Sequence, residues 1–212
     1  MTSRAQTEIR AYGIRVLQSH HPEVRKLKRI HTPSVHGNKH WVSSWLLMDY
    51  LRHHPLPEGA RVMEIGCGWG LAGIYCAKKF NAIVTGVDID SEVFPYLRLH
   101  ADINKVVVAP LHQKFSKLKE TDLQDIDVVI GADICFWDKM VYPLKRFIRR
   151  ALNAGVRLVI IADPARSPFE KLSKYFVKKE KGETLDWHVQ RPRNIQGQLL
   201  KINNRGEIKE GH

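Results

Sequence analysis

The chain has 212 residues, 43% of them hydrophobic and 26% charged, and its 34 Lys and Arg against 22 Asp and Glu give a formal charge of +12. Those proportions describe one globular domain with room for a full core, and they exclude a disordered chain, a collagen-like repeat and a coiled coil. The best apolar run, Val156 to Ala162, is broken by Arg157 and falls far short of the roughly 18 residues a membrane span needs. Met1 to Gln6 lead into no apolar stretch, so no secretory signal and a cytoplasmic protein are expected. Cys67, Cys76 and Cys135 form no CxxC pair, and the adjacent pairs His20-His21 and His53-His54 diverge, so no metal site is expected. The positive surplus, concentrated at 25–29 and 171–181, would draw RNA, acidic proteins or anionic metabolites, or simply keep the surface solvated.

Residues 1–40 are basic and give no settled secondary structure; they read as an extension, a lid or a substrate-facing segment, ahead of a single domain over 41–212. Trp41, Trp45, Met48 and Leu51 predict a helix over 41–54 that Pro55 and Pro57 stop. Residues 61–65 read as a strand, 71–80 as a helix and 82–87 as a second strand. Ser91 is expected to cap a helix running to Asp102. Strands at 105–109 and 127–131, a helix over 139–152 and a strand over 157–162 follow. Strands near 184–190 and 198–202 and a turn at 203–206 complete the pattern. Short β-branched runs alternating with helices predict an α/β fold on a parallel sheet.

The strongest local signal is Glu64-Ile65-Gly66-Cys67-Gly68-Trp69-Gly70, a strand running into three alternate glycines and then a helix. Such a turn lets a ligand lie against bare backbone in front of a helix N-terminus. Asp88, at the tip of the next strand in Val87-Asp88-Ile89-Asp90, can accept both hydroxyls of a ribose. The segment 68–73 also fits the dinucleotide pattern GxGxxG by letter. Against a dinucleotide, Glu64 inside the strand would repel a pyrophosphate, whereas it can meet a cation such as the amino group of S-adenosylmethionine. A Tyr-x-x-x-Lys match at Tyr175 and Lys179 lacks an upstream serine, that position being Ala162, and reads as chance.

These motifs resemble motif I and the acidic loop of class I, seven-stranded, S-adenosylmethionine-dependent methyltransferases, over about residues 41–170. Within them the chain is most similar to the protein-lysine methyltransferases of family 16 and the electron-transfer-flavoprotein β-subunit lysine methyltransferases. Trp41-Val42-Ser43-Ser44, Asn104, Asp133-Ile134-Cys135-Phe136 and Asp163-Pro164-Ala165-Arg166 match further positions of that group. Phe136 stands where those enzymes carry Tyr, and 112–115 lacks the acid many of them place near adenine. The resemblance implies a Rossmann-like sheet, mostly parallel with a C-terminal antiparallel strand and helices on both faces. It also implies methyl transfer from S-adenosylmethionine to a protein lysine.

Cofactor contacts are expected from Trp41, Glu64, Gly66, Cys67, Gly68, Gly70, Asp88 and Ile89, with Phe115 stacking on adenine. Asp133, at the end of an apolar strand, is the candidate to orient the acceptor amine or aid its proton loss. Phe136 and Trp137 are candidates to receive that amine on their π faces, with Asp163 beside them. The alternatives are core packing for the two rings and a helix cap for Asp163. RNA or a small metabolite stands as the alternative acceptor, and a non-catalytic binding module as the alternative of another class. Oligomeric state is not indicated.

Overall fold

The computed structural model describes residues 7–34, 37 and 39–204. In chain order its elements are β1 (Glu8–Ala11), β2 (Ile14–Leu17), α1 (Pro22–Ile30), α2 (Ser43–His53), β3 (Arg61–Ile65), α3 (Leu71–Phe80) and β4 (Ile83–Asp88). They continue as α4 (Phe94–Asn104), β5 (Val108–His112), β6 (Val128–Ala132), α5 (Asp138–Asn153), β7 (Leu158–Asp163), α6 (Ser167–Lys179), β8 (Glu183–Val189) and β9 (Ile195–Asn203).

Strands joined through helices must run parallel, and β3 to β7 do so. The sheet order is β5-β4-β3-β6-β7-β9-β8, with β9 antiparallel to both neighbours. Trp45, Leu46, Ile74 and Leu97 of α2, α3 and α4 pack on one face of the sheet. Leu144, Phe147, Phe169 and Phe176 of α5 and α6 pack on the other. The mixed seven-stranded sheet covered on both faces is the architecture expected. The order in which the strands are connected reverses between β3 and β6, which opens a crevice at the C-terminal strand ends.

Several boundaries differ from expectation; β9 begins at Ile195 instead of 198 and α2 at Ser43 instead of 41. Lys105 takes a left-handed φ of 59° and donates its N–H to the Ala101 and Asp102 carbonyls, so α4 uses up the start of the anticipated strand and β5 begins three residues later. The cap after β4 is Asp90, whose side chain accepts the Glu92 N–H; Ser91 instead opens a 3-10 turn ahead of α4. Of the turn expected at 203–206, Arg205 and Gly206 lie outside the described residues.

Residues 8–17 form a hairpin. Tyr12 and Gly13 take φ of 55° and 76°, the paired left-handed conformation a two-residue hairpin turn requires. Ile9, Ile14 and Val16 enter the same core as α2 and α3. Two side chains of α4 then do for β2 what a neighbouring strand would. Asn104 accepts the Arg15 N–H at 2.8 Å and donates to the Arg15 carbonyl at 2.8 Å. His100 Nε2 accepts the Leu17 N–H at 3.2 Å while Nδ1 faces the Tyr96 carbonyl at 2.7 Å. Burial lowers the His100 pKa and keeps this ring neutral.

Asn104→Ala removes both contacts to Arg15 and one to the His100 carbonyl. We expect a stability loss of about 2–4 kcal/mol in denaturant unfolding. A loss below about 1 kcal/mol would show that the hairpin docks through its apolar residues alone.

Candidate active site

The turn after β3 needs its glycines for different reasons. Gly66, Gly68 and Gly70 take φ of 61°, 51° and 71°. A Cβ at Gly66 would meet Ile134 and one at Gly70 would run into Leu97, while the space in front of Gly68 is open. Two carboxylates hold this turn. Glu64 Oε2 accepts the Gly73 N–H at 2.9 Å, and Asp88 Oδ2 accepts the Gly68 N–H at 2.9 Å. Asp88 Oδ1 takes the Asp90 N–H at 3.0 Å. Burial pushes the Glu64 carboxyl up to about 8 against the Gly73 N–H, and the charge of Asp88 adds to the rise. Burial also raises Asp88, which stays half-buried.

The crevice is floored by Glu64, Gly66, Cys67, Gly68 and Ala132. Its other wall is the segment before α2, through Lys39, His40, Trp41 and Ser44. Backbone ties fix that wall: the Ser34 N–H donates to Asp90 Oδ2 at 2.6 Å, and Trp69 Nε1 donates to the Gly37 carbonyl at 3.0 Å. Trp69 also lines the crevice and stacks on Tyr96, ring centres 5.2 Å apart. Burial lowers His40 to about 4, and its Nδ1 is buried without a protein hydrogen-bond partner.

Beside the crevice lies a charged cluster. Asp133 takes a left-handed φ of 57°, and its Oδ2 accepts the Ser43 N–H at 2.8 Å, supplying the cap that Val42 cannot give α2. Its Oδ1 pairs with Arg166 Nη2 at 2.5 Å, while Arg166 Nη1 meets Asp163 Oδ2 at 3.0 Å. Asp163 Oδ1 accepts the Arg166 N–H at 2.8 Å, and burial raises this carboxyl to about 6. Ala165 adopts φ of 67° to close the turn. The Arg166 guanidinium also lies 4.6 Å from the Phe136 ring centre, with Trp41 5.2 Å away on Phe136.

The structure brings Glu64, Gly66, Cys67, Gly68, Gly70 and Trp41 together around one crevice, with Asp88 hydrogen-bonded to its turn. It corrects two expectations. The Asp133 side chain is 0% exposed with both oxygens engaged, so it clamps α2 and Arg166 instead of meeting an acceptor amine. Phe115 packs edge-on against Phe147 at 5.6 Å beneath α5 and does not line the crevice. Ile89 is exposed, Phe136 carries Arg166 on its ring, and Trp137 carries Lys139 at 4.7 Å. Asp163 accepts the Arg166 N–H in the turn ahead of α6, which carries no side-chain cap hydrogen bond, and pairs with the Arg166 guanidinium as well. Sequence reasoning missed His40, Lys39, Ser44 and Arg166. Adjacency to Trp41 was the available signal for the first three, and adjacency to Asp163 for the last.

The sheet order, the crevice at the strand reversal and the acid-flanked glycine turn define a Rossmann-like fold of the methyltransferase type. Solved structures with this fold include TrmN from Thermus thermophilus, with a TM-score of 0.58 and 13% identity over 76% of this chain and 49% of that one. The human methyltransferase 10 domain containing protein gives a TM-score of 0.57 and 12% identity over 75% of this chain and 82% of that one. A family model described as lysine methyltransferase matches residues 27–182, and the chain belongs to that family. It is similar to the electron transfer flavoprotein beta subunit lysine methyltransferase of Danio rerio, 24% identical over 65% of this chain and 53% of the relative. The Xenopus laevis protein of the same name is 25% identical over 63% and 56%. The chain thus spans about half the length of these curated relatives.

Two predictions follow from the buried charges. Folded Glu64 keeps a proton that the unfolded chain loses near its ordinary value, so its contribution to stability falls as pH rises from about 4.5 to about 8. Glu64→Gln should therefore gain on the wild type across that window and hold its advantage above it. Denaturant unfolding at pH 5 and pH 8.5 checks this, and a pH-independent difference contradicts it. Arg166→Ala leaves two buried carboxylates unpaired, with an expected loss of about 3–5 kcal/mol at pH 8. The deficit should shrink toward pH 5.5 as Asp163 takes up a proton. Equal losses at both pH values would mean lost packing instead of charge.

Proposed function

We propose that this chain binds S-adenosylmethionine in the crevice and transfers its methyl group to a lysine side chain of a protein. The observation that carries the cofactor reading is the pair of carboxylates on adjacent strands, Glu64 and Asp88, holding the glycine turn between them. The residues suit such a ligand on their own terms. Open backbone at Gly68, an unpartnered buried nitrogen on His40 and a Glu64 carboxyl whose retained proton a cationic ligand would displace are polar groups suited to a polar partner. A dinucleotide would set its pyrophosphate against Glu64. The lysine acceptor is supported by the family and by the lysine methyltransferase activity for which the electron-transfer-flavoprotein relatives are named.

When bound, the cofactor supplies a methyl group on a sulfonium, and the chain's own residues have to hold, orient and keep water out. Asp88 has one backbone N–H on each oxygen, and the remaining lone pairs would take ribose hydroxyls. Glu64 would face the ligand's ammonium. Trp41 and Phe136 form an apolar rim. Asp133 is a positioning residue that fixes α2 and Arg166. A lysine amine attacks only when neutral. Pairing both rim carboxylates with Arg166 leaves less anionic charge to hold that amine as an ammonium. Lys39, His40 and Trp41 would flank the ligand from the opposite wall.

Calorimetry with S-adenosylmethionine should show binding to the wild type, at least ten-fold weaker binding to Asp88→Ala, and no binding of NAD. Affinity should rise with pH up to about 8, because a cationic ligand expels the Glu64 proton. Unchanged affinity in Asp88→Ala would overturn the ribose assignment. Radiolabelled methyl transfer into a lysate should be lost after protease and kept after ribonuclease. The reverse would make RNA the acceptor, the reading the +12 charge favours.

A further inference from the structure

The outer face of α5 carries a groove that the catalytic reading does not use. Tyr142, Lys145, Arg146, Arg149, Arg150 and Asn153 recur at helical spacing and line it. A second depression beside it shares Tyr142, Arg146 and Arg150 and is closed by Ser116 and Lys117. Tyr142 is 61% exposed, with Lys145 Nζ 5.6 Å and Arg146 Cζ 5.8 Å from its ring centre. Arg150 is fixed by the Leu118 carbonyl at 2.6 Å. Among the described residues, Lys145 and Arg146 have no carboxylate within ion-pair distance. Only Arg149 is paired, with Glu180 at 3.4 Å. The groove is therefore a cationic surface holding a solvent-exposed aromatic ring, and Tyr and Arg are the residue types that dominate protein interfaces.

Its place in the fold connects it to the crevice. The helix starts immediately after Trp137, so Arg149 lies about 18 Å along the axis from that ring, the reach of five or six extended residues. We propose that this groove docks acidic side chains of the acceptor protein while its lysine enters the crevice. The assignment rests on the protein-acceptor reading above. The neighbouring charges favour carboxylates over a phosphodiester chain. Glu120 lines the groove and Glu180 pairs with its Arg149, while Asp138 pairs with Lys171 and Glu170 with Lys174. Those acids break the positive surface into a short patch, whereas a nucleic-acid strand needs a continuous track.

The test compares a labelled glutamate decamer, a glutamine decamer and a uridine decamer by fluorescence anisotropy on the full chain at low salt. Two variants remove the same charge: Arg146→Glu with Arg149→Glu in the groove, and Arg25→Glu with Arg29→Glu on the exposed face of α1. The expected result is glutamate-decamer binding at least ten-fold weaker in the groove variant, within two-fold of wild type in the α1 variant, and undetected for glutamine. Equal weakening in both variants would reduce the effect to net charge and overturn the proposal, as would no change in the groove variant. Tighter binding of the uridine decamer, lost in the groove variant, would overturn it in favour of RNA. S-adenosylmethionine affinity and melting temperature, measured on the same variants, should stay at wild-type values. A failure of docking is thereby separated from a failure of the methyltransferase reading, which the lysate labelling decides by itself.

Discussion

Two neighbouring strands each end in an acid that grips the backbone of one turn. Glu64 holds the third residue of α3 by its N–H, and Asp88 holds the middle glycine. Side by side in a low-dielectric crevice, two carboxylates repel, and burial already opposes their charge. The glycine N–H groups offset part of that cost, and Glu64 meets the rest by retaining its proton. This constraint sets the shape of everything nearby. The turn cannot flatten without losing both bonds, Gly68 keeps its bare face toward open space, and Asp90 and Trp69 are placed to receive the backbone of Ser34 and Gly37.

The rim obeys a second electrostatic rule. Each of three aromatic rings there has a cation of the chain itself against it: Lys39 by Trp41, Arg166 by Phe136 and Lys139 by Trp137. Arg166 also serves both buried acids, and a planar guanidinium can do this where a lysine ammonium could not span the geometry. An acceptor amine arriving at this rim would meet aromatic faces whose charge is already balanced, an environment that favours its neutral, nucleophilic form.

What could be read from sequence was what lies close along the chain. The glycine turn, Glu64 and Asp88 are legible because one strand, one turn and the next strand tip carry them, and a period of two and a run of small residues mark such units without tertiary information. The parallel sheet followed from alternation of strands and helices, whereas the order of its strands came only from the structure. Asp133 misled because its partners are distant in sequence: Ser43 lies 90 residues before it and Arg166 33 after, and only the closed sheet brings them together. Phe115 misled because a loop aromatic has no periodicity to say which layer it enters. The hairpin at 8–17 left a weak trace, alternating Ile9, Ile14 and Val16 around Tyr12-Gly13. The side chains that dock it, His100 and Asn104, look like any polar pair on one helix face until β2 arrives.

That docking changes how the basic N-terminal region relates to the crevice. Read alone, residues 1–40 suggest a segment separable from the cofactor site. The contacts point elsewhere, since each stretch hands its position to the next. Asn104 and His100 fix β2 on α4, and Leu17, Val24, Trp69 and Tyr96 form one small core beneath α1. Tyr96 donates to the His31 carbonyl at 3.0 Å and Asp90 takes the Ser34 N–H, so the chain leaving α1 is led across the acidic loop. Lys39 and His40 then arrive as crevice wall, just before Trp41. A ligand in that crevice would touch side chains held in place by α4 at one remove. Loosening the hairpin would therefore be felt at the glycine turn and the crevice wall as well as at the aromatic rim.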